Sequence, residues 1–349
     1  MTKLCVESIR GGVVESRHRV SVAVADGNGV LLAVSGNPEL RTFWHSAAKP
    51  FQAIPFVADG AADHFGFGSP ALALVCASHS SEPAHRALAA AMLRQLGLTE
   101  DALACGPHPP LTSAVAEPLA SESLTPTPLW SNCSGKHAAM LALALMHRWP
   151  TAGYEQAGHP VQDRLLAEVS RWTAVPSADI GLGTDGCTAV SYALPLVSMA
   201  RAYAHLARSD EPSAIRVRQA MLAHPELVAG SGRCCTDVLT AGNGDLLVKL
   251  GADGVYGGAL VRAGIGIALK VDDGDPRCAA PALLAVLWSL AENLAPAIRS
   301  ALESPVVRRH EAVELRNTRG APVGSLRASG SLRYSAPSRA NTMTATHSR

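Results

Sequence analysis

Hydrophobic and polar residues alternate near the start of the chain, as they do in the strands of a half-buried sheet. The alternation covers residues 18–25, stops at the sequence DGNG at 26–29, and resumes over 30–34. Asp-Gly and Asn-Gly pairs favour the tight turns that join antiparallel strands. The pattern therefore predicts a β-hairpin.

Strand signals of similar quality return only late in the chain, and helical periodicity fills the region between them. Further strands are predicted at 245–249, 254–261, 265–271 and 311–316. Alanine-rich segments with apolar residues three and four positions apart predict helices at 82–96, 136–146, 160–172, 189–206, 212–223 and 281–294.

The simplest arrangement of these elements is an α/β (α+β) fold with an antiparallel sheet built from both termini. Residues 1–45 with 225–325 form the sheet lobe, covered on one face by the late helix, and 46–224 form an inserted, mainly helical lobe. Catalytic groups are expected at the seam between the lobes. Residues 328–349 are rich in Ser, Arg, Ala, Thr and Pro without periodicity, so we expect a disordered tail.

Composition narrows the class of protein. The chain has 349 residues, 48% of them hydrophobic, and a formal net charge of +1. That charge gives no general attraction for nucleic acid or anionic lipid. No apolar run is long enough to span a bilayer, and the first residues lack a secretory signal. With these features, eight cysteines suit a reducing compartment, so we expect a cytoplasmic protein without membrane or nucleic-acid partners.

A serine and a lysine stand three residues apart in the sequence SAAKP at 46–50. This spacing places Ser46 and Lys49 on one side of a helical turn, and Pro50 requires the helix to begin near Ser46. Lysine can take the proton of a serine only when burial or nearby cations lower its pKa from about 10.4. The same spacing also occurs where an amphipathic helix opens at the surface, so context must decide.

Two other positions supply that context. Lys249 ends a predicted strand, where it could provide a second cation, and Ser78 precedes a predicted helix, where its hydroxyl could relay a proton. The structural alternatives are a solvated strand end for Lys249 and helix capping for the serine segment.

Two cysteines near predicted helix starts offer a metal site. Cys133 and Cys187 could hold zinc, with Lys136 as a neutral amine or His137 as the conventional fourth group. The spacing of paired zinc-binding cysteines is absent, and free cysteines are often plain core residues. Sequence alone leaves both interpretations open.

These segments, taken together, resemble the bacterial asparaginase II family of the zinc-containing rhizobial type. The resemblance covers nearly all of residues 5–325 and rests on SAAKPFQ at 46–52, ASHSS at 77–81, CGPHP at 105–109, NCSGKH at 132–137, DGC at 185–187, GSGR at 230–233 and KLGADG at 249–254.

The resemblance implies a fold similar to serine β-lactamases and serine-dependent glutaminases. It implies two Ser-Lys pairs, Ser46 with Lys49 and Ser78 with Lys249. It also implies a zinc ion held by Cys133, Lys136 and Cys187. The substrate-binding groups that it implies are Asp185, His137 and Arg233. In this family we expect arginine directly before the first serine, where this chain has His45.

The expected function is hydrolysis of L-asparagine to L-aspartate and ammonia by a Ser-Lys activated nucleophile, in a homodimer. One alternative keeps the fold but makes glutamine, a β-lactam or a peptide amide the substrate. A non-enzyme alternative is a zinc-stabilised amino-acid-binding protein in which the serines and lysines only line a pocket.

Overall fold

The computed structural model describes residues 2–112, 115–116 and 125–335. The strands in these residues are β1 (Cys5–Arg10), β2 (Val13–Ala25), β3 (Leu31–Ser35), β4 (Arg41–Phe43), β5 (Gly181–Thr184), β6 (Val190–Pro195), β7 (Leu246–Leu250), β8 (Val255–Leu260), β9 (Ile265–Val271), β10 (Ala312–Arg316), β11 (Pro322–Ser329) and β12 (Arg333–Tyr334).

The helices of this part of the chain are mostly short. They are α1 (Lys49–Ala58), α2 (Ala61–His64), α3 (Ser69–Val75), α4 (Pro83–Gln95), α5 (Ser134–Met146), α6 (Pro160–Thr173), α7 (Leu196–Arg208), α8 (Pro212–Ala223), α9 (Pro225–Val228), α10 (Cys234–Ala241), α11 (Ala279–Asn293), α12 (Arg299–Leu302) and α13 (Pro305–Arg308). No described helix is both long and apolar enough to cross a membrane.

A large antiparallel sheet contains strands from both ends of the chain, as predicted. Its order is β10-β11-β1-β2-β9-β8-β7, with β3 also paired to β2 and β12 to β3. The hairpin of β2 and β3 and the four late strands were predicted to within a few residues, apart from the earlier start of β2 at Val13. Strand β1 was missed because it carries polar residues on both faces, which removes the alternating signal, and β11 was missed because it opens with Pro322 and Gly324, residue types that are depleted in strands.

One predicted helix was wrong in its first third. Residues 190–195 form strand β6, and helix α7 begins only at Leu196. Pro195 explains the boundary, since proline has no N–H to donate, is disfavoured inside a helix and here lies directly before the first helical residue. Strand β6 pairs with β4 and β5 in a second, three-stranded sheet that the sequence pattern did not predict.

The first part of the predicted tail is structured. Residues 328–335 include the end of β11 and all of β12, in which Arg333 pairs with Val34 and Tyr334 with Ala33. The Tyr334 hydroxyl donates to the Ser289 carbonyl at 2.7 Å and fastens this strand to α11. Residues 336–349, the rest of the predicted tail, lie outside the described residues.

Helices pack on the large sheet from two parts of the chain. Helix α11, the late helix, packs against β11, β9 and β1, whereas α7 packs against β9, β8 and β2. Helix α1 lies among α6, α8 and α5, and the short 3₁₀ helix before it contacts β7 and β8. That 3₁₀ helix carries Ser46, so the seam between sheet and helices is where the predicted serine lies.

Candidate active site

The turn that carries Ser46 leads directly into helix α1. Residues His45–Ala48 form the 3₁₀ helix, and Lys49 is the first residue of α1. Pro50 lies in the first turn, where its missing N–H has no helical partner to lose. Ser46 is partly exposed, whereas the Lys49 side chain is buried completely. A small molecule can therefore reach Ser46 more easily than Lys49.

Aromatic residues hold this turn against strand β6 and helix α7. The backbone N–H of Trp44 donates to the Tyr192 carbonyl at 2.8 Å, which joins the turn to β6. The Tyr203 hydroxyl on α7 donates to the Ala47 carbonyl at 2.7 Å. Because these side chains are almost fully buried, the turn is held by packing as well as by hydrogen bonds.

The two predicted lysines meet at the hydroxyl of Ser78. Lys49 Nζ donates to the Ala77 carbonyl and lies 3.1 Å from Ser78 Oγ. Lys249 Nζ, from the end of β7, lies 2.8 Å from the same Oγ and donates to the Leu250 carbonyl at 2.8 Å. Among the described residues no hydrogen bond joins Ser46 to Lys49, so Lys49 pairs with Ser78.

Lys249 has an unusual proton affinity. Its complete burial and the positive charge of Lys49 lower its pKa to about 7, with Arg233 adding to the effect. At that pKa a large share of Lys249 is the neutral amine near neutral pH. A neutral amine can accept the proton of a hydroxyl, and a serine hydroxyl is 2.8 Å away.

The loop before α10 places Arg233 beside the same serine. Arg233 Nη1 donates to Ser80 Oγ at 3.1 Å and to the Ser78 carbonyl at 3.4 Å. Gly230 makes this approach possible, because its φ is +113° and a Cβ there would lie 2.8 Å from Ser80 Oγ. The GSGR and ASHSS segments are therefore packed together, with a guanidinium at their junction.

Cys133, Lys136 and Cys187 form a buried cluster at the start of α5. Lys136 Nζ donates to Cys187 Sγ at 3.0 Å. The Cys133 thiol and the Lys136 ammonium hold the pKa of Cys187 well below its usual value, while interaction with Cys187 and burial raise that of Cys133. Although burial opposes it, the negative Cys187 raises the pKa of Lys136. The cluster is an ammonium, a thiolate and a thiol.

His137 adds an imidazole to this cluster. It is fully buried, and its Nδ1 lies 2.6 Å from the Tyr154 hydroxyl. Its Nε2 is a buried nitrogen without a hydrogen-bond partner among the described residues, although Cys187 is close enough to affect the pKa of the ring. An orphaned imidazole nitrogen near the Cys187 sulfur is a donor type that zinc prefers. His, Cys, Asp and Glu donors alone do not reach a group of three here, so a site needs Lys136.

Asp185 lies next to this cluster and is held by His45. Asp185 Oδ1 accepts from His45 Nδ1 at 3.1 Å and from the Gly186 N–H at 2.9 Å, and Oδ2 has no hydrogen bond to the described residues. Burial opposes ionisation, but His45 and Lys136 lower the pKa of Asp185. His45 Nε2 also lies 3.5 Å from Asp253, so the residue before Ser46 bridges two carboxylates.

Backbone strain marks the same region. Within the described residues, seven non-glycine residues have left-handed φ. Two of them, His45 and Thr188, are next to predicted site residues, and Ser81 and Asp253 lie in the same motifs as Ser78 and Lys249. Such conformations cost on the order of 1–3 kcal/mol each, and they cluster at functional sites. Thr188, with a φ of 74°, is β-branched and follows Cys187 directly.

His79 is a buried residue of the site to which the sequence analysis gave no role. Its Nδ1 accepts from the Ser81 N–H at 3.1 Å, and its Nε2 lies 3.0 Å from Ser134 Oγ. Burial lowers its pKa, so the ring is neutral and ties the ASHSS loop to the start of α5. Its place inside that motif was the available signal. Close approach of α5 also needs Gly135, where a Cβ would lie 2.5 Å from the Leu74 carbonyl oxygen.

Comparison with known protein families gives one match. Residues 6–328 match the family model described as L-asparaginase II, and this range contains every residue of the site described above. No individually curated protein matches the chain.

Proposed function

The chain belongs to the L-asparaginase II family, and on this basis we propose that it hydrolyses L-asparagine to L-aspartate and ammonia. Membership makes it an amide hydrolase of the asparaginase type. The observation that carries the proposed mechanism is the pair of buried lysines at one serine hydroxyl, with the pKa of Lys249 near 7. This arrangement supplies a base at neutral pH.

Ser46 is the proposed nucleophile because its hydroxyl is the more accessible of the two serines. Its oxygen attacks the amide carbon of asparagine and forms a tetrahedral intermediate. Backbone N–H groups at the start of α1 lie at the positive end of the helix, where a developing oxyanion is stabilised. Collapse of the intermediate breaks the C–N bond and leaves an ester on Ser46.

The proton of Ser46 travels through a relay of three groups. Ser78 passes a proton to the neutral amine of Lys249, and Lys49 passes one to Ser78 Oγ. Lys49 then accepts the Ser46 proton once substrate binding brings the Ser46 hydroxyl to Nζ, since no hydrogen bond joins these two residues among the described contacts. The relay then runs in reverse and protonates the departing nitrogen, which leaves as ammonia. Water repeats the attack on the ester and releases aspartate, with the proton returning to Ser46.

Two charged residues fit the two ends of a free amino acid. Asp185 is a carboxylate with one oxygen free of hydrogen bonds to the described residues, and it suits the substrate's α-ammonium group. Arg233 is held against the Ser78 loop and suits the α-carboxylate. His137 is fully buried, and its orphaned nitrogen fits a metal-ligand role better than direct substrate contact.

We propose that Cys133, Lys136 and Cys187 hold zinc, with His137 as a further donor. A bound zinc ion would supply positive charge that orients the substrate, while Ser46 remains the nucleophile. Lys136 would have to lose the proton that the thiolate now favours, so binding releases protons. The β-lactamase-like fold and the homodimer stay proposals that rest on the family resemblance, and the cytoplasmic location stays a proposal that rests on the cysteine content and the sequence of the first residues.

Replacing Cys133 by alanine is expected to lower the zinc content of the purified protein by about one ion per chain, because a thiolate ligand is lost. Elemental analysis and ammonia release are measured on the same samples. Cys5→Ala is the matched control, since Cys5 is a buried cysteine on β1 outside the cluster. Unchanged zinc content in Cys133→Ala would remove this site from the proposal.

The substrate is tested by comparing asparagine with glutamine. We expect kcat/KM for asparagine to exceed that for glutamine by about 10- to 200-fold, which is the usual effect of one methylene group in a fitted pocket. Ammonia release is measured for both amides at several concentrations. A higher value for glutamine would favour the glutaminase alternative, and tight asparagine binding without ammonia would favour the amino-acid-binding alternative.

A further inference from the structure

A second group of metal-ligand atoms lies on the large sheet and shares no residue with the candidate active site. His18 comes from β2, and Asp275 and Cys278 come from the segment between β9 and α11. Their ligand atoms all lie within 4.8 Å of one another, and they are the only such group of His, Cys, Asp and Glu in the described part of the chain. We propose that these three side chains bind a zinc ion.

The chemistry of the donors selects the metal. Imidazole nitrogen, thiolate sulfur and carboxylate oxygen together are the ligand types of zinc, whereas calcium and magnesium take oxygen ligands. Three protein ligands leave one tetrahedral position for water. Cys278 is fully buried, and the side chains of His18 and Asp275 are 13% and 16% exposed, so the donors lie below the surface but remain within reach of solvent.

His18 is already oriented as a metal ligand. Its Nδ1 lies 2.7 Å from a carboxylate oxygen of Asp273, which fixes the proton on Nδ1. The lone pair of Nε2 is then available to bind a metal ion. The contact that Nε2 makes is a long one, 3.5 Å to Ser16 Oγ. A carboxylate that holds the far nitrogen of a histidine ligand is a common feature of zinc sites.

Asp275 is fixed in place as well. Its oxygens accept hydrogen bonds from the Arg277 side chain at 2.6 to 3.2 Å and from the Arg277 N–H at 2.9 Å. These contacts come from three N–H groups, because Nε–H is shared between both oxygens, and a carboxylate has about four acceptor positions, so one position remains for a metal ion. The guanidinium holds the carboxylate in one orientation, which lowers the entropy lost when a metal binds.

The surroundings of Cys278 favour a cation over an isolated thiolate. Burial and the negative charges of Asp275 and Asp273 raise the pKa of the Cys278 thiol to about 12. Without a cation the thiol keeps its proton. A zinc ion supplies the missing positive charge, and on binding the thiol proton is released to solvent while the sulfur lone pair forms the bond to zinc.

A metal here would connect distant parts of the chain. It would join β2, near the amino terminus, to the residues that open α11, and this helix packs on the same sheet. Because the unfolded chain does not hold the three ligands together, binding would stabilise the folded state. The site is therefore a structural metal site, and the proposal does not depend on the proposed asparaginase activity.

Cobalt titration tests the site directly. In a Cys133→Ser and Cys187→Ser double variant, which lacks the thiols at the start of α5, we expect one Co²⁺ ion to bind with a thiolate-to-cobalt absorption band. Adding Cys278→Ser should abolish the band, whereas adding Cys5→Ser, on neighbouring strand β1, should leave it unchanged. Asp273→Asn should weaken cobalt binding by about 10- to 100-fold, the usual effect of removing the partner of a histidine ligand.

The results of this titration can be distinguished from the results of the active-site experiments. Absence of the band in the folded double variant, or a band that persists after Cys278→Ser, would overturn the proposal. If the double variant does not fold, zinc content of the otherwise unaltered protein is compared with that of Cys278→Ser, which should hold one ion fewer and keep its ammonia release. Equal zinc content would overturn the site, whatever the activity.

Discussion

Ammonia release from asparagine is expected to fall by about 10⁴-fold or more in Ser46→Ala, with the fold retained. The variant removes the oxygen proposed to attack the substrate, and the other hydroxyl of the pocket, that of Ser78, is buried between the two lysines. Ser46 is partly exposed in the turn before α1, so loss of its hydroxyl should change the melting temperature little. The measurements are kcat with asparagine and thermal unfolding.

Ser78→Ala separates the two serines. It removes the middle group of the proton relay, so we expect a loss of about 10²- to 10⁴-fold, which is the usual range for general base catalysis. Ser177→Ala, an exposed serine outside the site, is the control and should be fully active. An active Ser46→Ala combined with an inactive Ser78→Ala would make Ser78 the nucleophile and contradict our assignment.

Trapping the acyl-enzyme gives the same answer without mutation. Rapid acid quench during turnover, followed by digestion and mass spectrometry, should place the added mass on the peptide that contains Ser46. Modification of the peptide that contains Ser78 would exchange the roles of the two hydroxyls. This measurement matters because both lysines contact Ser78, so the hydrogen bonds by themselves point to Ser78, and the greater accessibility of Ser46 is the observation that favours it.

Local patterns were sufficient for much of the fold. Strand β9 and helix α8 match the predicted 265–271 and 212–223 in both boundaries. In these segments the spacing of the apolar residues agrees with the secondary structure that forms, and the flanking Gly or Pro agrees with its boundaries. Strands β1 and β11 were missed because their partners, rather than their own residues, make them strands.

The candidate site, like the fold, was predicted only in part from local sequence patterns. Spacing placed Ser46 and Lys49 on one turn, and the end of a strand placed Lys249 at the seam, so the candidate residues were found from sequence. The predicted contact between Ser78 and Lys249 is present at 2.8 Å, whereas the contact of Lys49 with Ser78, in place of Ser46, was not predicted. Ser78 lies between the lysines because loops far apart in sequence pack together, and the low pKa of Lys249 follows from burial that only the folded chain provides.

Lys249→Met is expected to abolish activity and, at the same time, to stabilise the protein below about pH 7. Methionine is a similar size and keeps the buried position filled without a charge. In the unfolded chain Lys249 keeps its proton up to about pH 10.5, whereas in the folded protein it loses it near pH 7. The unfolded state therefore binds more protons between these values, so wild-type stability rises with pH across this window and is lowest below it.

The melting temperature of Lys249→Met should accordingly exceed that of the wild type most at pH 6, and the difference should shrink as the pH approaches 10.5. Lys3→Met, at an exposed position, is the control and should show no such trend. A stability difference that does not change with pH would mean that Lys249 titrates normally. It would also remove the neutral amine from the proposed relay.

The pH dependence of the wild-type enzyme follows from the same residue. Below about pH 7 Lys249 holds its proton and cannot accept another from Ser78, so kcat/KM should rise with pH through about 7. Lys249→Arg keeps a positive charge at every accessible pH, and we expect it to be about 10²- to 10⁴-fold less active throughout, with that rise absent. If Lys249→Arg kept the wild-type profile, the titrating base would be another group, and Lys49 would be the next candidate.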